Sequence, residues 1–390
     1  MLKERYLTKY ILEDLHEKMV FLGGPRQVGK TTLCREILGA HFKKPAYFNW
    51  DNRADRKMIM AATWPADAQL LIFDEIHKYR QWKQLIKGEF DKHKDTFKFI
   101  VTGSARLDLY RRGGDSLQGR YHHYRLHPFT LAELESIHNE YAIFNELTIN
   151  RGCYQQTLDA VGTFGGFTEP FMKQNMRHLR RWHNEKIERM FREDIRDLEA
   201  IRDIGNMKLM SDMLPTKVGA SLSLNSIRED LEVSHRAVTH WMDVLELFYY
   251  HFRIYPYTSK KIRSLKKEPK LYLWDWSEVM DDGRRFENLI ASHLLKFVHF
   301  LAEYEGYRAE LSYLRDVDKR EVDFLVTIDG KPWFAVEAKL ADTALSPSLG
   351  YFRDRLSIPY VYQVVKKENI DLLEKGGRIL SAAKFLAALR

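Results

Sequence analysis

Apolar runs punctuate the first 125 residues. Met19-Val20-Phe21-Leu22 reads as a short apolar strand, Gln69-Leu70-Leu71-Ile72-Phe73, with Asp74 and Glu75 at its end, as a fully buried parallel strand, and Phe97-Lys98-Phe99-Ile100-Val101-Thr102 as a third strand. Ala46-Tyr47-Phe48-Asn49-Trp50 and Gly119-Arg120-Tyr121-His122-His123-Tyr124-Arg125-Leu126 read as two more strands. Helical stretches lie between them, at Thr32–Leu38 and Trp82–Lys94, after a charged leading helix over residues 1–18. Strands alternating with helices predict an α/β core with a mostly parallel sheet over residues 1–135. Residues 136–222 read as helical, and Lys173 to Arg196 as a solvated helical face. Residues 223–281 read as a winged-helix-like region with a helix-turn-helix pattern over 223–257, in which Asn225 caps Ser226–Leu231 and Ser234 caps His235–Phe248. Residues 282–390 form a separate α/β unit, in which Glu321–Ile328 alternates as a strand and Pro332–Lys339 returns beyond Asp329-Gly330.

The first strand runs into Gly24-Pro25-Arg26-Gln27-Val28-Gly29-Lys30-Thr31, a fit to G-x-x-x-x-G-K-[ST] between strand and helix. Such a turn aims backbone N–H groups and a helix N-terminus at phosphate. Gly24, Gly29, Lys30, Thr31 and Thr32 are the expected nucleotide contacts, Lys30 on the β- and γ-phosphates and the Thr31 hydroxyl on Mg²⁺. Asp74 and Glu75 close another apolar strand. Asp74 is placed to hold Mg²⁺ through water, and Glu75 to polarise the attacking water. Thr102 and Ser104 end a third strand at the same sheet edge, where they read either as γ-phosphate sensors or as turn residues. Arg120 precedes the last core strand. In ring ATPases an arginine near this point faces the neighbouring subunit's γ-phosphate; the alternative is a solvated or locally paired residue, and Arg111 and Arg112 are rival fingers.

In the helix-turn-helix, Val238, Trp241, Leu245 and Phe248 share one face, leaving Arg236 and His240 outward for DNA. The other reading is a helical lid that only packs. Lys260-Lys261-Ile262-Arg263-Ser264-Leu265-Lys266-Lys267-Glu268-Pro269-Lys270 follows, with Tyr255, Tyr257 and Tyr272 nearby. Lys260, Lys261, Arg263, Lys266 and Lys267 suit a phosphate backbone, or form a solvated loop.

Asp323 precedes Glu337-x-Lys339 by fourteen positions, the D…E-x-K pattern of restriction-endonuclease-like nucleases. Asp323 and Glu337 would share Mg²⁺ or Mn²⁺, with Glu287 as a further ligand and Lys339 beside the water. A two-residue loop with regular pairing beyond it would turn Asp323 away from Glu337. A three-residue connection with Gly330 as a left-handed bulge, or an equivalent irregularity, is therefore expected.

The 62 Lys+Arg against 54 Asp+Glu give a net charge of +8, which suits a polyanionic partner. The two cysteines, Cys34 and Cys153, form no zinc or disulfide pattern, the N-terminus has no signal-peptide core, and no apolar run approaches ~18 residues. A cytoplasmic protein with no membrane span is expected.

GPRQVGKTT, LIFDEIHK, VTGSAR, GRYHHYRLHPFTLAEL, FGGFTEP, KLYLWD, RRFENLIASHLL and EVDFLV…FAVEAK occur in one order. In these the chain resembles the prokaryotic AAA+ ATPases fused to a C-terminal domain of unknown function with a restriction-endonuclease-like core. Thr168 departs from the family's usual proline in FGGFTEP. The resemblance implies ATP and Mg²⁺ bound through Lys30, Thr31, Asp74 and Glu75. The whole reads as a P-loop AAA+ parallel-sheet core, a helical and winged-helix middle and a nuclease-like end. The expected activity is Mg-ATP hydrolysis by a ring-forming homo-oligomer that binds or remodels DNA, as a translocase or a processor of branched structures. An ATP-gated nuclease and a nucleotide-driven switch for a protein partner are the alternatives.

Overall fold

A computed structural model describes residues 4–103, 117–195, 203–258, 268–341 and 344–390. Ser104, Arg111, Arg112, Lys260, Lys261, Arg263, Lys266 and Lys267 fall outside the described residues. The chain divides into two compact units, Met1–His127 and Pro128–Arg390.

The first unit is built on five parallel strands, β1 (Met19–Gly23), β2 (Pro45–Asn49), β3 (Leu70–Asp74), β4 (Lys98–Thr102) and β5 (Tyr121–Arg125), in the order β2-β3-β4-β1-β5. Every residue of β1 and β3 is buried, as their unbroken apolar runs require. On one face Phe21, Phe48, Phe73 and Phe99 pack with Trp82, Ile86 and Phe90 of helix α4 (Trp82–His93). The leading helix is shorter than expected. α1 (Thr8–Asp14) buries Ile11, while Leu7 and Leu15 at its two ends are also buried. The glycine-rich loop opens α2 (Lys30–Thr32), which continues as a π-helical turn over Leu33–Leu38. Helix α3 (Arg53–Ala61) follows β2 and is capped by Asn52, whose side chain accepts from the backbone N–H of Ala54 and Asp55.

The second unit carries an eight-stranded mixed sheet, in the order β12-β13-β11-β10-β9-β8-β6-β7. Its strands are β6 (His251–Pro256), β7 (Lys270–Leu273), β8 (Ala309–Arg315), β9 (Glu321–Ile328), β10 (Lys331–Lys339), β11 (Tyr360–Val365), β12 (Asp371–Glu374) and β13 (Gly377–Ser381). The boundary drawn at residue 282 falls inside this sheet: β6 and β7 pair antiparallel, and β6 then pairs with β8. Before them come α5 (Met176–Arg189), α6 (Leu224–Asp230) and α7 (His235–Leu247). Ser223, not Asn225, caps α6, its hydroxyl accepting from the Ser226 N–H; Ser234 caps α7 as expected. α7 buries Val238, Trp241, Met242 and Leu245 and leaves Arg236 and His240 exposed.

The long helix α8 (Asp282–Glu303) lies across β7, β8 and β10. There Phe297 meets Trp333 and Phe334, with ring centroids 5.9 and 6.3 Å away. α9 (Pro347–Leu356) brings Leu349 and Phe352 against Leu325, Ala335 and Val361. Phe334 and Ala335, neighbours on β10, thus serve different helices, so both faces are covered. The β9–β10 turn has two residues, not three. Asp329 (φ 52°) and Gly330 (φ 77°) are both left-handed, and Lys331 pairs with Ile328. The expected irregularity lies further along, between Pro332 and Phe334. Trp333 is the extra residue. It is buried, and its indole N–H donates to the Asn145 carbonyl at 2.8 Å. Past this bulge Val336 pairs with Phe324, so Glu337 falls opposite Asp323 on the same face. Among the described residues no helix is long and apolar enough to cross a membrane.

Candidate nucleotide site and the acid cluster of the second unit

In the first unit the sheet order brings β1, β3 and β4 together, so their C-terminal ends gather Gly24, Asp74, Glu75 and Thr102. Gly24 has φ +129°, and a Cβ on it would stand 2.5 Å from the Leu126 carbonyl oxygen. Only glycine lets the loop pass this close to the segment after β5. Gly29 (φ +98°) then turns the chain into α2. The Lys30 side chain is buried inside the loop, its Nζ donating to the Gly24 and Pro25 carbonyls at 2.9 and 2.7 Å.

Asp74 is buried and receives three hydroxyls. Thr31 and Tyr47 donate to Oδ2 at 2.9 and 2.7 Å, and Thr102 donates to Oδ1 at 2.9 Å. A hydroxyl and a carboxylate oxygen at the mouth of a phosphate loop are the hard donors Mg²⁺ takes, so the residues fit a magnesium–nucleotide complex. Glu75, just past the strand end, has a left-handed backbone (φ 56°), a conformation that costs of order 1 kcal/mol in a non-glycine residue and recurs at functional sites. Its N–H donates to the Thr102 carbonyl at 3.0 Å. Its Oε2 is buried and finds no hydrogen-bond donor among the described residues; His77 Nε2 and Lys78 Nζ each lie 3.6 Å from it. Burial pushes the Glu75 carboxyl above its ordinary range.

Arg120 is locally paired. Its guanidinium donates to both oxygens of Asp91, at 2.7 and 3.1 Å. Thr32 follows Thr31 within α2.

Sequence reasoning missed two supports of this site. Tyr47 reaches Asp74 only because β2 is the strand next to β3, a neighbour relation the sequence does not carry. Arg5, read as part of a charged leading segment, is 5% exposed. Its guanidinium donates to the Val28 carbonyl at 2.8 Å and to the His127 carbonyl at 2.6 Å, tying the phosphate loop to the chain after β5.

In the second unit the bulge gathers the expected acids, but a lysine sits among them. Lys270 belongs to β7 and is not a groove-facing residue of the basic stretch. Its side chain is 3% exposed, and Nζ lies 2.7 Å from Glu321 Oε1, 3.1 Å from Asp323 Oδ1 and 3.3 Å from Glu287 Oε1. The Tyr272 hydroxyl donates to Glu287 Oε1 at 2.7 Å. Asp323 Oδ2 accepts from the Ala338 N–H at 3.0 Å, and Glu337 Oε2 from the Asp323 N–H at 3.3 Å. Lys339 Nζ is 2.8 Å from Glu337 Oε1. Burial first, and the Asp323 charge second, push the Glu287 and Glu337 carboxyls up to about 7. The site divalent metal was expected to fill is thus held by an ammonium group, and the residues do not fit a metal centre. Glu321 was legible, two positions before Asp323 and so on the same strand face; Lys270 was not.

In the run from Lys173, read as a solvated face, Arg177, Arg180, Arg181, Glu185 and Glu188 are exposed as expected, and Lys186 is the exception. His183, Asp275 and Glu278 group their ligand atoms closely, but Lys186 of α5 pairs with both carboxylates, 2.8 Å from Asp275 Oδ2.

Residues 16–135 match the family described as AAA domain, and residues 155–278 and 282–385 match two families described only as domains of unknown function. The chain is 25% identical over 373 residues to the uncharacterized protein MJ1637 of Methanocaldococcus jannaschii, covering 84% of this chain and 76% of that one. It is 22% identical over 357 residues to the uncharacterized protein Rv2008c of Mycobacterium tuberculosis, covering 85% and 73%. Among solved structures, the Holliday junction branch migration motor RuvB of Thermotoga maritima aligns at 17% identity with a TM-score of 0.29, covering 67% of this chain and 93% of that one. The first unit, with its glycine-rich loop and five-stranded parallel sheet, has an AAA-type, P-loop ATPase-like fold.

Proposed function

We propose that this chain hydrolyses Mg-ATP in its first unit and acts, as a homo-oligomer, on DNA. The observation that carries the proposal is the arrangement at the end of β3: a buried Asp74 held by three neutral hydroxyls, with Lys30 inside the loop and Glu75 beside them. Lys30 would bind the phosphates, Thr31 and Asp74 would hold magnesium, and Glu75 would take up the proton of the attacking water. Burial supports that last role, because it raises the basicity of the Glu75 carboxylate. Thr102, bonded to Asp74, orients it. Gly24, Gly29 and Thr32 line the phosphates, and Ser104 is proposed beside the γ-phosphate. Arg120 is proposed to act on a neighbour's nucleotide, for which it would have to leave Asp91.

DNA binding rests on α6 and α7, followed by the antiparallel pair β6 and β7, an order that suits a winged helix. Arg236 and His240 are exposed on α7. The basic residues from Lys260 to Lys267 lie in sequence between the two strands. The second unit then grips DNA and does not cut it.

The test is turnover against binding. Glu75→Gln should bind ATP and hydrolyse it at least ~10²-fold more slowly. Unchanged turnover would remove Glu75 from the reaction.

A further inference from the structure

We infer that Lys270 is a built-in cation that takes the place of a divalent metal in the acid cluster of the second unit, so that this cluster is an internal ion network and not a cleavage centre. The sequence pattern calls for a metal between Asp323 and Glu337, with Glu287 beside it. Lys270 Nζ already contacts Asp323, Glu287 and Glu321, all within 3.3 Å. The remaining oxygens of the central pair are also used. Asp323 Oδ2 takes the Ala338 N–H, and Glu337 takes the Asp323 N–H and the Lys339 ammonium. A metal among these acids would have to displace hydrogen bonds and stand against a buried positive charge.

Charge balance agrees. Four carboxylates, of Glu287, Glu321, Asp323 and Glu337, face the ammonium groups of Lys270 and Lys339. Arg315 adds a third cation, its guanidinium 3.6 Å from Glu321 Oε2. The geometry is specific to Lys270. It lies on β7, its ammonium 5.8 Å from the centre of the Tyr313 ring, while Tyr272, two residues on along the same strand face, bonds Glu287. One strand thus delivers both the cation and a hydroxyl to acids carried by α8 and β9.

The test is Mn²⁺ binding followed by electron paramagnetic resonance on the full chain without nucleotide, so that any manganese held at Asp74 is common to every sample. Wild type and Asp323→Asn should take up Mn²⁺ equally. A wild-type site of micromolar affinity that Asp323→Asn removes would overturn the inference. This arm needs no change at Lys270, so it decides the matter even where Lys270 variants do not fold. Lys270→Met should be destabilised in chelator, gain an Mn²⁺ site at least tenfold tighter than anything in wild type, and recover melting temperature as Mn²⁺ is added. Lys270→Met/Asp323→Asn should lose that recovery. A folded Lys270→Met protein indifferent to Mn²⁺ would equally overturn it. Activity at the nucleotide site enters neither arm, so failure here and failure of the ATPase proposal are separate outcomes.

Discussion

The two units each gather buried acids beside strands of a sheet and each bring a lysine to them, yet the lysines do opposite things. In the first unit Lys30 turns into its own loop and bonds backbone carbonyls, while Asp74 is satisfied by the hydroxyls of Thr31, Tyr47 and Thr102. Neutral donors satisfy a carboxylate without cancelling its charge, which is what the magnesium role proposed for Asp74 requires. In the second unit Lys270 binds Glu287, Glu321 and Asp323 directly and cancels the charge that would attract one. Acid count alone does not make a metal site; what compensates the acids decides it.

The comparison breaks most visibly at Lys30. Lys30→Ala should abolish nucleotide binding, read by fluorescence of a labelled ATP analogue, because Lys30 is the loop cation that reaches the β- and γ-phosphates. Retained affinity would mean that the loop is only structural. Arg120→Ala should lower turnover by ~10³-fold if that arginine serves a neighbouring subunit, and mixing it with Lys30→Ala protein should restore activity in mixed particles. No recovery, with particles monomeric by light scattering, would leave Arg120 as a partner of Asp91 alone. In the second unit Lys270→Met should cost about 3–5 kcal/mol in denaturant unfolding, the usual penalty for stranding a buried carboxylate. Changing Lys260, Lys261, Lys266 and Lys267 to Glu should weaken DNA binding for every sequence and flatten its salt dependence. Undiminished affinity would move the DNA contacts elsewhere.

The smallest effect is on pH. Glu287 and Glu337 have folded-state carboxyls raised from the ordinary 4.5 to about 7. The folded state therefore binds more protons than the unfolded one between those values, and stability falls as pH rises from about 4.5 through about 7. Glu287→Gln should flatten that fall by roughly 1–2 kcal/mol across the window, measured by urea unfolding. A steeper fall would mean that Glu287 is ionised in the fold throughout.

How much of this could be read from the chain follows from where the partners lie. The meeting of Lys30, Thr31, Asp74 and Glu75 was legible because the loop is eight contiguous residues and the acids end a wholly apolar strand, so local pattern carried the geometry. The β9 and β10 strands were legible from their alternation, and a register irregularity was required by the need to bring Asp323 and Glu337 to one face. Its position was not: Asp329-Gly330 accommodates a two-residue turn, and the extra residue became Trp333, whose indole fills the core. Lys270 could not be assigned, because at the end of a basic run it looks like its neighbours. Only the strand order, with β7 outside β6 and under α8, takes it out of solvent. Arg5 and Lys186 escaped for the same reason. A charged residue's burial depends on long-range packing that periodicity does not encode.

Manganese uptake with ATP present tests the contrast between the two units most directly. Wild-type protein should bind one nucleotide-dependent Mn²⁺ per chain, lost in Asp74→Asn and unchanged in Asp323→Asn. Tight uptake that needs no nucleotide and disappears in Asp323→Asn would contradict the account.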